Sequence, residues 1–171
     1  IFSDIFLEGN FSKIVKKEYN LFEQLFINQL PYSIFISKEL WDITGGYDEK
    51  MISGYEDWEF NIRLGLNEKY GQRIAKPLFH YNVSNSGMLL SKTSKSHSRI
   101  WKYIISKNKK SFKLKNLFLL WKKWRVKPSS YPLIIFFGWY LFFLFFSDKW
   151  SSKIFVALRN LKWLFTRKEN S

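Results

Sequence analysis

The sequence predicts an α/β domain that passes into a basic, aromatic, helical region. Apolar residues recur at helical spacing over residues 11–30, and extended apolar segments lie on either side of a Gly-Gly turn. After residue 98 aromatic and basic side chains mix at helical spacing. The boundary separates a first portion, 1–98, from a second, 99–171. A chain of 171 residues is long enough for a real core. With no cysteine, disulfides and thiolate zinc sites are excluded, which fits a reducing compartment.

In chain order, residues 11–30 read as an amphipathic helix. Leu21, Phe22, Leu25, Phe26 and Leu30 recur every three or four residues, with Glu23, Gln24 and Asn28 between them. Pro31 ends it, and Tyr32 to Ile36 follow as a short buried strand. Ser37 suits the N-cap of a short helix through Trp41 that stops before Gly45 and Gly46. Trp58, Phe60, Ile62, Leu64 and Leu66 occupy every second position, a strand period. Glu56 and Asp57, acids of the kind a helix dipole favours in its first turn, decide for a helix. Gln72 to Val83 reads as a strand pair or extended segment bent at Pro77, and residues 84–98 as a polar loop. Helical spacing returns from Ile100 to Trp124, and Pro128-Ser129-Ser130 breaks the chain.

The net charge of +14 is unevenly spread. Residues 1–87 hold 9 Lys/Arg against 12 Asp/Glu, whereas residues 88–171 hold 19 Lys/Arg against only Asp148 and Glu169. Such a basic surface attracts polyanions, and 18 Phe with 8 Trp shift the expected partner toward anionic lipid. No charge lies between Lys127 and Asp148, and Leu133 to Phe146 is apolar throughout. As a helix those 14 residues rise about 21 Å, short of the ~30 Å hydrocarbon layer. Both flanks are basic: Lys122, Lys123, Arg125 and Lys127 before, Lys149, Lys153, Arg159 and Lys162 after. This symmetry predicts a re-entrant or in-plane helix with both ends on the cytoplasmic face. Trp150, Ile154, Phe155, Leu158, Leu161, Leu164 and Phe165 extend one apolar face, with Lys153, Arg159, Lys162 and Arg167 at its polar side or edges. A buried core helix and a single crossing are the alternatives.

The chemistry concentrates in Gly45-Gly46-Tyr47-Asp48-Glu49 and Gly54-Tyr55-Glu56-Asp57-Trp58-Glu59. A flexible turn followed by adjacent carboxylates suits removal of a proton from a polar substrate. From about Leu30 to Met88, roughly a third of the chain, the sequence resembles the C-terminal half of a family-2 glycosyltransferase, with its GG(Y/F)DE loop and Glu-Asp-Trp motif. The resemblance implies part of a GT-A, Rossmann-like nucleotide-sugar transferase domain. It implies an inverting transfer from a nucleotide-sugar donor to a polysaccharide or lipid-linked acceptor at the cytoplasmic face of a membrane. Asp57 takes the position of the general base. Glu56 would orient the loop or contact an acceptor hydroxyl, Trp58 would wall the acceptor site, and the main-chain N–H groups of Gly45 and Gly46 would approach donor or acceptor. The family also implies a divalent cation, Mg or Mn, bound by an Asp-x-Asp motif. That motif does not occur here, and no residue of this chain is assigned as a metal ligand. Because the chain starts at Ile1, it is expected to be a fragment lacking the nucleotide-binding half and inactive alone.

Each residue has a plainer reading. Acids that open a helix are usually caps, Trp58 fits a core, and Asp48 and Glu49 fit a solvated turn. A histidine downstream of the base binds metal in some relatives. His80 has no acid beside it in sequence and reads as a core or rim residue, and His97 in its Ser/Lys run as solvent-exposed. Met88 in Asn85-Ser86-Gly87-Met88 matches the end of such domains, over a loop near the acceptor. The non-enzymatic alternative is a basic membrane-surface protein. Nucleic-acid binding, prompted by Lys109, Lys110, Lys113 and Lys115, finds no reader motif and is not expected.

Overall fold

A computed structural model of the chain describes residues 1–9, 12–83, 96–127, 131–154 and 157. It is mixed α/β: β1 (Phe2–Gly9), β2 (Lys13–Val15), α1 (Leu21–Gln24), α2 (Lys38–Thr44), α3 (Glu56–Leu66), β3 (Arg73–Val83), α4 (His97–Lys107), α5 (Leu114–Trp124) and α6 (Leu133–Phe145). The three strands form one sheet in the order β2-β1-β3, with β1 antiparallel to β2 and parallel to β3.

Strand β1 hides from a reading of apolar patterns because Ser3 and Asp4 interrupt its run, yet both are buried. Asp4 is satisfied there. Arg73 donates Nε to Oδ1 at 2.8 Å and Nη2 to Oδ2 at 2.9 Å, and the Lys17 main-chain N–H donates to Oδ1 at 2.9 Å. Opposite Asp4 stands Pro77, where the parallel register slips on both sides. A residue without an N–H cannot continue the ladder, so the bend expected at Pro77 is an irregularity inside a single strand.

The helix expected over residues 11–30 is corrected to β2, a connecting stretch and the single turn α1. Asn20 starts that turn, its Oδ1 accepting the N–H groups of Phe22 (3.1 Å) and Glu23 (3.3 Å). Only the apolar spacing of Leu21 to Phe26 was helical, and all the apolar residues from Leu21 to Phe26, with Leu30, are buried. Tyr32 to Ile36 belongs to no strand of the sheet. Phe35 pairs through its backbone with Ile1 at 2.8 and 2.9 Å and is 78% exposed, so a buried strand is ruled out there. Ser37 does cap α2, accepting the Leu40 N–H at 3.2 Å. Helix α3 is a helix, against its strand-like period. Trp58 to Ile62, Leu64 and Gly65 are all buried, and a helix covered on most sides loses the usual amphipathic signal.

One core joins the earlier and later parts of the chain. Phe22, Phe26, Met51, Trp58 and Ile62 pack with Ile100, Trp101, Ile104, Phe112, Leu117, Phe136, Tyr140 and Phe143. Two of its aromatic donors are paired directionally: Trp101 Nε1–H donates to the Leu25 carbonyl (2.9 Å) and Tyr140 O–H to that of Phe112 (2.8 Å). Phe136, Tyr140 and Phe143 are the inner stripe of α6, while Ile134 (76% exposed) and Phe145 (81% exposed) point outward. A helical stretch follows over 148–154, tied to α4 by Ser98 Oγ–H donating to Asp148 (2.9 Å) and by a Lys102–Asp148 ion pair (2.8 Å). Among the described residues no helix is long and apolar enough to cross a membrane. The expected apolar face through Phe155, Leu158, Leu161, Leu164 and Phe165, the edge residues Arg159, Lys162 and Arg167, and the loop over 84–95 with Met88 lie outside the described residues.

Removing Arg73 leaves a buried carboxylate unpaired at the centre of the sheet. Arg73→Met is expected to cost about 3 kcal/mol in a denaturant melt, against little change for the exposed Lys38→Met, whose partner Asp42 is also exposed.

Candidate functional site

Two consecutive residues in the left-handed region, Gly54 (φ 99°) and Tyr55 (φ 69°), swing the chain onto α3. Glycine adopts this conformation freely, whereas tyrosine is strained in it. The strain is offset by what the ring reaches. Tyr55 packs edge-on against Trp58, with ring centres 5.2 Å apart, and its hydroxyl lies 3.1 Å from Nδ1 of His97.

The bend places Asp57 in the first turn of α3, half-buried. Its Oδ1 accepts the Trp58 N–H at 2.8 Å, and its Oδ2 accepts Nδ2–H of Asn28 at 3.0 Å. Behind Asn28 the donors run in one direction: Gln24 Nε2–H donates to Asn28 Oδ1 (3.2 Å), and the Gln29 N–H donates to Gln24 Oε1 (2.9 Å). Burial pushes the Asp57 carboxyl above the usual carboxylate range. The hydrogen bonds from Asn28 and from Trp58 oppose that rise, and the neighbouring charge of Glu56 reinforces it. Glu56 is half-buried and has no hydrogen bond or ion pair among the described residues. Lys17 and Tyr47 lie within electrostatic reach of Asp57. Burial lowers the Lys17 ammonium against the pull of Asp4 and Asp57, and burial, with Asp57 and Glu56, raises the Tyr47 phenol.

Other expected site residues sit differently. An acceptor wall needs an open ring face, but Trp58 is 2% exposed and its Nε1–H donates to the Gln24 carbonyl at 2.6 Å. Trp58 is a core residue here. Nor do the Gly45 and Gly46 N–H groups face a substrate, since they close α2 by donating to the carbonyls of Asp42 (3.2 Å) and Trp41 (3.1 Å). Gly46 (φ 60°) is buried, and a Cβ there would stand 2.7 Å from the Trp41 ring. The pair is a helix cap that packs on an indole. Arg63 fastens it to α3 by donating to the carbonyls of Thr44 and Gly46 while paired with Glu59.

Asp48 is not a solvated turn residue. It accepts Tyr103 O–H at 2.8 Å and pairs with Lys107 at 2.7 Å, and Lys107 also reaches the buried Glu59 at 2.9 Å. The Lys107 hydrogen bond is the main cause holding the Asp48 carboxyl down to about 2. His97 is corrected from exposed to buried: as the first residue of α4 it stacks between Trp58 (6.1 Å) and Trp101 (6.5 Å) and is 3% exposed. His80 is exposed, as a rim residue is, but the sheet brings Glu8 to 3.4 Å from its Nδ1 although the two are far apart in sequence.

Among the described residues the donor set does not fit the divalent cation that the resemblance implies. Among the described residues no three His, Cys, Asp or Glu side chains gather. Glu8 with His80 is a lone pair of groups. No chemical step is therefore routed through a cation.

The Asp48 contacts make a signed prediction. The folded pKa of about 2 lies below the ordinary 3.8, so its stabilisation is complete above pH 3.8 and vanishes as pH falls through 2. In thermal melts at neutral pH, Asp48→Asn is expected to cost about 1 kcal/mol, screening by solvent included, and the gap from wild type should close on acidification.

No family model matches the chain, and no curated protein or solved structure is significantly similar to it.

Proposed function

We propose that this chain is the acceptor-side part of an inverting, family-2-like glycosyltransferase of GT-A type, acting at the cytoplasmic face of a membrane. The observation that carries the reading is Asp57 itself. A half-buried carboxyl, drawn upward by burial and oriented by two donors, stands at a helix entrance beside Glu56, which has no hydrogen-bond or ion-pair partner among the described residues. A general base needs this combination of fixed position and a pKa moved toward working pH.

In the proposed step an acceptor hydroxyl oxygen attacks the anomeric carbon of a nucleotide sugar. The new C–O bond forms as the bond to the diphosphate breaks on the opposite face, so the configuration inverts. The hydroxyl proton passes to Asp57, and the electron pair of the broken bond leaves with the diphosphate. Glu56 receives a second acceptor hydroxyl. Trp58 and the glycine pair hold the turn and α3 in place and touch no sugar. Donor binding, and the cation the family uses for it, belong to the nucleotide-binding half that the resemblance implies and that these residues do not supply.

In the full-length protein, Asp57→Asn is expected to reduce transfer at least about 100-fold while leaving membrane association unchanged. Radiolabelled transfer from a nucleotide-sugar panel to membrane-derived acceptor checks this, and wild-type rates in the variant would remove Asp57 from the chemistry.

One observation favours the non-enzymatic reading as well: α5 and α6 expose Phe118, Leu119, Ile134, Ile135 and Phe145 close in sequence to exposed Lys115, Lys122, Lys123 and Arg125. Apolar side chains with basic neighbours suit an anionic bilayer surface. The protein is expected to sediment with vesicles containing phosphatidylglycerol and to be released by salt. Ile134→Glu with Phe145→Glu should abolish the sedimentation, and equal binding by the double variant would remove α6 from the membrane contact.

A further inference from the structure

Asn28 lies 29 residues before Asp57 in sequence, yet its amide meets the carboxylate at 3.0 Å. A primary amide can present either its NH2 or its oxygen to a neighbour, and only the NH2 can donate to a carboxylate. The choice is made behind it. The Gln29 main-chain N–H can only donate, so it requires the oxygen of Gln24 at 2.9 Å. Gln24 must then turn its NH2 toward Asn28, whose oxygen receives it at 3.2 Å. That leaves the Asn28 NH2 facing Oδ2 of Asp57. Gln24 is fully buried and its carbonyl also accepts the Trp58 indole N–H at 2.6 Å, so this relay is clamped to α3 at two points.

We propose that Asn28 is the positioning residue of the Asp57 carboxylate: its amide, oriented through Gln24 by the Gln29 main chain, holds the base in one rotamer and in its ionised form. The proposal rests on the glycosyl-transfer reading for its catalytic purpose and on geometry alone for the contact. With Asn28 on Oδ2 and the Trp58 N–H on Oδ1, the carboxylate cannot rotate without losing both bonds. Its remaining lone pairs are left for an incoming hydroxyl. The charged and titratable groups that act on the same carboxylate are Glu56 from α3, Lys17 from the stretch before α1, and Tyr47 from the turn after α2. Among the described residues none of them hydrogen-bonds Asp57, so Asn28 is the side chain that fixes its orientation.

The test is a carbon-13 NMR titration of the Asp57 carboxyl in the full chain, for wild type, Asn28→Leu and Gln24→Met. Asn28→Leu removes the donor at similar volume, and the Asp57 midpoint should move to higher pH because the ionised form loses its hydrogen bond. Gln24→Met keeps Asn28 but frees its amide, so the midpoint should move the same way by less. An unchanged midpoint in folded Asn28→Leu overturns the proposal. If that variant fails to fold, the Gln24→Met titration decides, and an unchanged midpoint there overturns it equally. In the full-length protein, Asn28→Leu should lower kcat with little change in donor KM and shift the acid limb of the pH profile upward with the NMR midpoint. A shifted midpoint with unaltered transfer would confirm the contact and defeat the catalytic reading.

Discussion

The joint between α1 and the start of α3 sets the position of nearly everything else near Asp57. The Trp58 indole lies in the core and donates to the Gln24 carbonyl, while the Gln24 side chain orients Asn28, which holds Asp57. One short turn thus anchors the helix by its largest aromatic residue and its carboxylate by an amide. Trp58 stacks on His97, which stacks in turn on Trp101, and this extends the same joint to α4. A change that loosened this packing would move the carboxylate, because the Asn28 amide and the Trp58 main-chain N–H each hold one of its oxygens.

Polar groups do much of the ordering. Asp4, Glu23, Gln24, Glu59 and His97 are all buried. Asp4 is matched by Arg73 and Glu59 by Arg63 and Lys107. Isolated buried charges are costly, so these pairs make the fold sensitive to loss of either partner. One such group also ties the acid-rich earlier part of the chain to α4: Lys107 bridges Asp48 and Glu59.

What could be read from the chain follows from which interactions are local. The Ser37 cap, the Gly45 helix end and the acidic first turn of α3 are set by neighbours within a few residues, and the sequence shows them. Strand β1 is invisible because Asp4 looks like a surface residue until Arg73, 69 positions later, is brought beside it. His97 reads as exposed for the same reason, since its Trp58 and Tyr55 partners lie across the domain. The strand period of Trp58 to Leu66 carries no information about a helix buried on most sides. At the site, Asp57 is legible through its motif, but Asn28 is not. An asparagine between Ile27 and Gln29 carries no mark until a long-range contact gives it one.

Helix α6 combines both kinds of surface. Its inner stripe completes the core, so its apolar composition is partly explained without a bilayer, while Ile134 and Phe145 remain outside. The central claim is narrower and concerns a proton acceptor. Its most direct measurement is a crystal structure of the full-length protein with an acceptor saccharide bound. The account predicts a sugar hydroxyl oxygen within about 2.6–3.2 Å of an Asp57 oxygen, with Glu56 on a neighbouring hydroxyl. A saccharide seated elsewhere, with Asp57 still bonded only to Asn28 and Trp58, would contradict it.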